Sequence, residues 1–220
     1  MVPLLSLALA LALLAAPARA CDTALLLLMD VSNSIDVGEY RLQTDGLADA
    51  LEDPEIAQAM LEGQVALSVV QWSGPDDQAV SLPWTRMRTP ADLAAFAARA
   101  RAMRRAFRLS DTAPAEALTF ALAHMAQAPP CARRIVDISG DGMANAGGEV
   151  RGLPARAERQ QVTINGLAIE GMGVAVTTFY RRALITRDGF VITARGHREY
   201  PEAIRRKILR EVSRIFGKAR

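Results

Sequence analysis

Lysine is nearly missing from this chain. Of 26 Lys and Arg residues in 220, only Lys207 and Lys218 are lysine, and genome composition explains that bias as readily as function does. Charge of one sign is missing too. With 24 acids the formal net charge is +2, so the chain as a whole has no pull toward nucleic acid. There are two histidines, two cysteines and only 5% aromatics. His124 falls inside a helical pattern and His197 in a polar loop, so both read as structural or solvated, and no histidine cluster is available for a general base or a metal cage. No His-Glu-x-x-His, no G-x-x-x-x-G-K-[ST] and no G-x-S-x-G occurs, which removes the zincin helix, the phosphate loop and the hydrolase elbow. Gly140-Asp141-Gly142 fails the dinucleotide fingerprint because Asn145 stands where the third glycine is needed. No internal repeat or low-complexity linker appears. What remains is half hydrophobic and long enough for one well-cored domain.

The first eighteen residues carry no charge and are mostly Leu and Ala, ending Ala18-Arg19-Ala20 before Cys21. An apolar stretch followed by A-x-A predicts a cleaved secretory signal over 1–20 and a domain over 21–220, placed in the periplasm or outside a bacterial cell. An uncleaved anchor is the alternative, although the stretch is short for a span and Pro3 and Pro17 bracket it. Once the signal is removed, no stable membrane span is expected. Two cysteines in an exported chain suggest one disulfide. Cys21 lies nine residues before Asp30 and Cys131 ten before Asp141, so each opens a strand whose far end bears a carboxylate. If those strands are parallel neighbours, the sulfurs face one another; otherwise the two are unrelated buried thiols.

The pattern alternates strand and helix. Apolar runs at 23–29, 65–72, 134–139 and 162–169 predict strands, the first buried on both faces. A short strand at 79–82 ends before Pro83 and follows the turn Ser73-Gly74-Pro75-Asp76-Asp77, which makes it an antiparallel edge. A last short strand covers 190–193. Helices are predicted over 36–51, 55–61, 90–107, 113–127, 155–160, 177–184 and 200–216. That order gives an α/β fold: a doubly wound, mostly parallel sheet with one antiparallel edge strand and helices on both faces. In such sheets ligands sit beyond the strand C-termini where the strand order reverses.

The strand at 23–29 breaks into Asp30-Val31-Ser32-Asn33-Ser34. Alternation sets one carboxylate and two hydroxyls at i, i+2 and i+4 of the turn, a set suited to a hard divalent cation. The plain alternative is a polar turn whose serines cap the next helix. Asp141 ends another core strand, and Thr112 sits at a loop-to-helix junction between the two, where it either joins the oxygen site or caps the helix. Asp137-x-Ser139-x-Asp141-Gly142 imitates the start of a calcium loop, but its twelfth position is Gly148 and Asp137 lies within a strand. Asp137 therefore reads as a buried, paired acid.

Asp30-x-Ser32-x-Ser34, Thr112 and Asp141-Gly142 together resemble the metal-ion-dependent adhesion site of von Willebrand factor type A domains. Asp137-Ile138-Ser139-Gly140-Asp141-Gly142, Ile164-Asn165-Gly166-Leu167 and Ala203-Ile204-Arg205-Arg206-Lys207-Ile208 are similar to a group of bacterial exported type A-like proteins of unknown function. The resemblance implies an A-like Rossmannoid fold. It further implies Mg²⁺ (or Mn²⁺ or Ca²⁺) held directly by Ser32 and Ser34, mainly through water by Asp30 and Asp141, and by Thr112 in either mode. The implied partner is a protein ligand whose exposed Asp or Glu fills an open position, which makes the chain a binding module rather than an enzyme. The chain departs from the pattern at Ser110-Asp111, where the family has small glycines, and Asp111 brings a further carboxylate close to the site. Two other readings stand beside this one: a Mg²⁺- or Mn²⁺-dependent hydrolase of phosphate esters, and a scaffold with a purely structural ion. The arginines at 99–108 and the basic residues Arg205, Arg206, Lys207, Arg210 and Arg214 read as solvated faces.

Overall fold

The computed structural model describes residues 21–171 and 173–213. The leader expected over 1–20, Met172, and the end of the last predicted helix with Arg214 lie outside the described residues. Six strands form one sheet in the order β3-β2-β1-β4-β5-β6. Five are parallel: β1 (Cys21–Asp30), β2 (Ala66–Trp72), β4 (Cys131–Gly140), β5 (Thr163–Glu170) and β6 (Val191–Arg195). The edge strand β3 (Gln78–Arg86) runs antiparallel to β2.

Alternation along β1 decides which side of the sheet each helix covers. Leu25, Leu27 and Met29 point into one core, shared with Leu47 and Leu51 of α1 (Val37–Glu52), Met60 of α2 (Pro54–Glu62), Phe96 of α3 (Pro90–Arg101) and Ile204 of α7 (Tyr200–Val212). Leu26 and Leu28 point into the other. They meet Leu118 and Leu122 of α4 (Pro114–Met125), Ala157 of α5 (Leu153–Arg159) and Val176 of α6 (Ala175–Phe179). Cys21 pairs in register with Cys131 on β1 and β4, and the two sulfurs are bonded. The disulfide thus closes the end of the sheet opposite Asp30. β1 and β4 are central neighbours from which the connections run outward both ways, so the strand order reverses between them.

Three predicted elements differ. β3 does not stop at Pro83 but runs on to Arg86. Its edge position leaves the missing N–H harmless, and register shifts between Leu67 and Val70 of β2 absorb the irregularity. α3 ends at Arg101 instead of 107, because the next residues are drawn out of the helix by tertiary bonds: Tyr40 Oη donates to the Met103 carbonyl (3.1 Å) and Gln71 Nε2 to that of Arg104 (2.9 Å). The helix expected at 177–184 is α6 followed by a π-turn, Tyr180–Leu184, which drives Tyr180 into the sheet against Gly166. A Cβ at Gly166 would lie 2.7 Å from the Tyr180 ring.

Candidate metal centre

β1 ends in Asp30, and the chain turns at once. The Ser32 amide donates to Asp30 Oδ1 (2.8 Å), an Asx-type turn that aims the two serine side chains the same way, with Ser32 Oγ and Ser34 Oγ 3.2 Å apart. The turn is pinned on three sides. The Val31 amide donates to the Trp72 carbonyl of β2 (2.9 Å), and the Asn33 amide to that of Ser110 (2.9 Å). Arg105 points inward and donates to the carbonyls of Ile35 (2.7 Å), Val31 and Ser32 (2.8 Å each). Asp36 then caps α1 in a capping box with Glu39.

β4 delivers Asp141 from the other side of the strand-order reversal, and Ser34 Oγ donates to Asp141 Oδ1 (2.7 Å). Thr112 arrives from the loop before α4. Its amide donates to Asn145 Oδ1 (2.7 Å), and its carbonyl accepts from the Asn145 amide (3.1 Å), which clamps it to the loop after Asp141. Thr112 caps no helix: the N-cap of α4 is Ala113, without a side-chain bond. A Cβ on Gly142 would lie 3.6 Å from Thr112 Oγ1. The structure therefore brings Asp30, Ser32, Ser34, Thr112 and Asp141 to one end of the sheet. Asn33, Ser34, Ser110, Asp111, Thr112, Gly142, Met143 and Asn145 line a cup of about 330 Å³ there. Asp111 is exposed on its rim.

The electrostatics fit a cation. Asp30 is fully buried, and Oδ2 has no hydrogen-bond partner among the described residues. Burial pushes its carboxyl up to about 7, and the Asp141 charge adds to the rise, while the Ser32 bonds and Arg105 pull it down. A buried carboxylate with one oxygen free of hydrogen bonds, beside two serine hydroxyls and a second carboxylate, is an oxygen donor set for a hard divalent ion. Among the described residues no group of three or more His, Cys, Asp and Glu is arranged to hold a metal ion by itself. The donor set here depends instead on hydroxyls.

Sequence reading missed Arg105, Asn145, Glu39 and His197. His197 is not solvated: its side chain is 10% exposed, Nδ1 lies 2.9 Å from Glu39 Oε1, and Nε2 lies 4.0 Å from Asp141 Oδ2. Glu39 thus serves the capping box through Oε2 and His197 through Oε1. None of the four carries a local signal for its place at the site, because each finds its partner there far along the chain. Even the nearest such pair, Thr112 and Asn145, is 33 residues apart. His124 is structural as expected, stacked between Trp84 and Phe120 with Nε2 3.1 Å from Ser68 Oγ.

The sheet order, the two helical layers and the strand-end cup define the von Willebrand factor type A class of fold. Residues 20–216 match the family model described as "Protein of unknown function (DUF1194)", and the chain belongs to that family. A comparison with curated proteins gives no match. Among solved structures, proximal thread matrix protein 1 from the mussel byssus, with a zinc-occupied metal-ion-dependent adhesion site, aligns at a TM-score of 0.65 and 19% identity over 87% of this chain and 48% of that one. The pilus adhesin SpaC from Lactobacillus rhamnosus GG aligns at 0.62 and 13%, over 87% and 31%. A von Willebrand factor type A protein from Catenulispora acidiphila aligns at 0.58 and 17%, over 88% and 43%. The chain spans half or less of these proteins, and identities this low show the fold alone.

Proposed function

We propose that this chain is an exported, divalent-cation-dependent protein-binding module of adhesion type, and not an enzyme. The observation that carries the reading is the buried Asp30 carboxylate, whose Oδ2 has no hydrogen-bond partner among the described residues, at the sheet end where three distant segments meet. Ser32 and Ser34 would hold Mg²⁺, or Mn²⁺ or Ca²⁺, directly. Asp30 and Asp141 would do so mainly through water, and Thr112 in either mode. When bound, the cation supplies an open position for a carboxylate of the partner. The fixed turn around Arg105 and the clamp of Asn145 on Thr112 hold these oxygens in place before any ligand arrives. Zinc in the adhesion site of the mussel protein and the adhesin among the structural neighbours support the same reading. The leader pattern and the Cys21–Cys131 bond support a periplasmic or secreted location.

The test is capture of a partner from envelope extract with and without EDTA, followed by Asp30→Ala and Asp141→Ala. Binding lost in EDTA and in both variants, with circular dichroism unchanged, is the expected result. An identified partner that binds both variants as well as the wild type contradicts it.

The His197–Glu39 pair beside Asp141 favours a second reading, a metal-dependent phosphoesterase in which His197 handles a proton. Turnover of generic phosphoesters in Mg²⁺ or Mn²⁺ that disappears in Asp30→Ala and His197→Ala would establish it.

A further inference from the structure

We infer that the groove beside the metal centre seats an acidic segment of a partner protein, which is anchored twice: by one carboxylate at the cup and by a second acidic group on Arg104 and Arg108. The first anchor rests on the metal-binding reading above; the second rests on the groove itself.

The groove encloses about 560 Å³, and Asn33 lines both it and the cup, so the two adjoin. Its floor is apolar. Ile35 and Tyr40 pack with Val31 and Phe107 in a small cluster separate from the two sheet-face cores. Its rim is apolar as well: Val37 is 73% and Leu109 88% exposed, the two highest values among the exposed large hydrophobic residues described. Met143, 53% exposed, continues this surface onto the cup. Leu109 also holds a left-handed backbone (φ 55°), a conformation unfavourable for a non-glycine residue, which here displays an apolar side chain to solvent. Exposed apolar residues gathered at one end of a domain mark a contact surface.

The charge in the groove is positive and unspent. Several neighbouring arginines are paired, Arg41 with Asp45, Arg101 with Asp45, Asp49 and Glu52, Arg205 with Asp53, and Arg206 with Glu202, whereas exposed Arg99 makes no ion pair among the described residues but does not line the groove. Arg105 is turned inward onto three carbonyls. Arg104 and Arg108 line the groove and make no ion pair among the described residues. The one acid of the lining, Asp36, is occupied as the N-cap of α1. A segment with an aliphatic or aromatic side chain for the floor and an acidic group for the arginines complements this surface, and its neighbouring carboxylate reaches the cup.

The test is selection of a random peptide library displayed on phage against the folded chain in Mn²⁺, with EDTA elution, and in parallel binding to phosphatidylglycerol vesicles. The inference expects EDTA-eluted peptides with two acidic residues flanking an apolar one. Synthetic copies should bind the Arg104→Ser/Arg108→Ser variant about tenfold more weakly. Peptides with a single acid that bind the double variant unchanged overturn the groove and leave the metal reading standing. Two-acid peptides that ignore EDTA but weaken in the double variant support the groove and overturn the metal anchor. Selection of no acidic peptide, with or without arginine-dependent vesicle binding, overturns the inference.

Discussion

Lys207, one of two lysines in the sequence, is fully buried, with Nζ 2.6 Å from Asp137 Oδ1 and 2.7 Å from Glu211 Oε1. The basic run around it reads as a solvated face, and for Arg205 and Arg206 that holds. Lys207 is instead the countercharge of the core. The ammonium is compact enough to stand between two carboxylates, and Asn165 Nδ2 gives Glu211 a further bond (2.8 Å). Replacing it leaves two buried acids without a cation, so Lys207→Met should cost about 3–5 kcal/mol in chemical denaturation. Burial also pushes Asp137 up to about 7; Lys207 opposes that rise and Glu211 supports it. A carboxyl raised above its unfolded value takes up a proton in the folded state first. Stability should therefore increase as pH falls from about 7 toward about 4, with the burial penalty fully present above 7. Asp30 is raised in the same direction, so melting curves in EDTA should show the slope, and Asp137→Asn should flatten part of it. Asp137 was legible as a paired acid because it lies inside an apolar strand. Lys207 was not, because helical periodicity does not tell a charge facing a core acid from one facing water. His197 was hidden in the same way. His197 Nε2 stands 4.0 Å from Asp141 Oδ2 with its Nδ1 held by Glu39, so His197→Ala and Glu39→Gln should each weaken Mn²⁺ binding in calorimetry while leaving the far-ultraviolet spectrum unchanged.

At the scale of elements, the strands were readable because apolar runs of β1, β2, β4 and β5 admit few other conformations, and each lies where its run predicts it, β4 opening three residues early at Cys131. The ends of α3 and of the π-turn after α6 were not readable. The Ala- and Arg-rich stretch past Arg101 has good helix propensity and no Gly or Pro to stop it; bonds from Tyr40 and Gln71, far away in the chain, extract it. That extraction gives Arg105 its role. Arg105 donates to three carbonyls of the β1–α1 turn, and only that of Ser32 has a second donor, the Ile35 amide, so Arg105→Ala should cost several kcal/mol, about 1–3 for each of the two groups left without a donor and not additively. The loss should appear as a lower melting temperature together with weaker Mn²⁺ binding. Of the three segments of the site, the two strand ends were visible in the sequence. Thr112 was placed by its position at a junction, but its clamp through Asn145 was not, since a loop rich in Gly, Ala and Asn carries no periodicity.

For the whole molecule, the alternation of strand and helix leads to a doubly wound sheet, and the near-equal offsets of Cys21 and Cys131 from their carboxylates allow a disulfide on the condition that β1 and β4 are parallel neighbours. Both hold: the cysteines pair in register, and Asp30 and Asp141 flank the reversal of strand order. The bond joins residues 110 apart, so Cys21→Ser/Cys131→Ser should lose about 2–5 kcal/mol of stability, read from denaturation midpoints. The same topology makes the cup a property of the entire fold, because β1, the α4 loop and β4 must all be in place before its oxygens meet. Isothermal calorimetry of Mn²⁺ and Mg²⁺ with the folded chain and with Asp30→Ala tests this most directly. The account predicts one saturable site in the wild type that is lost in the variant. Folded wild type that takes up neither ion, or a variant that binds as the wild type does, would contradict it.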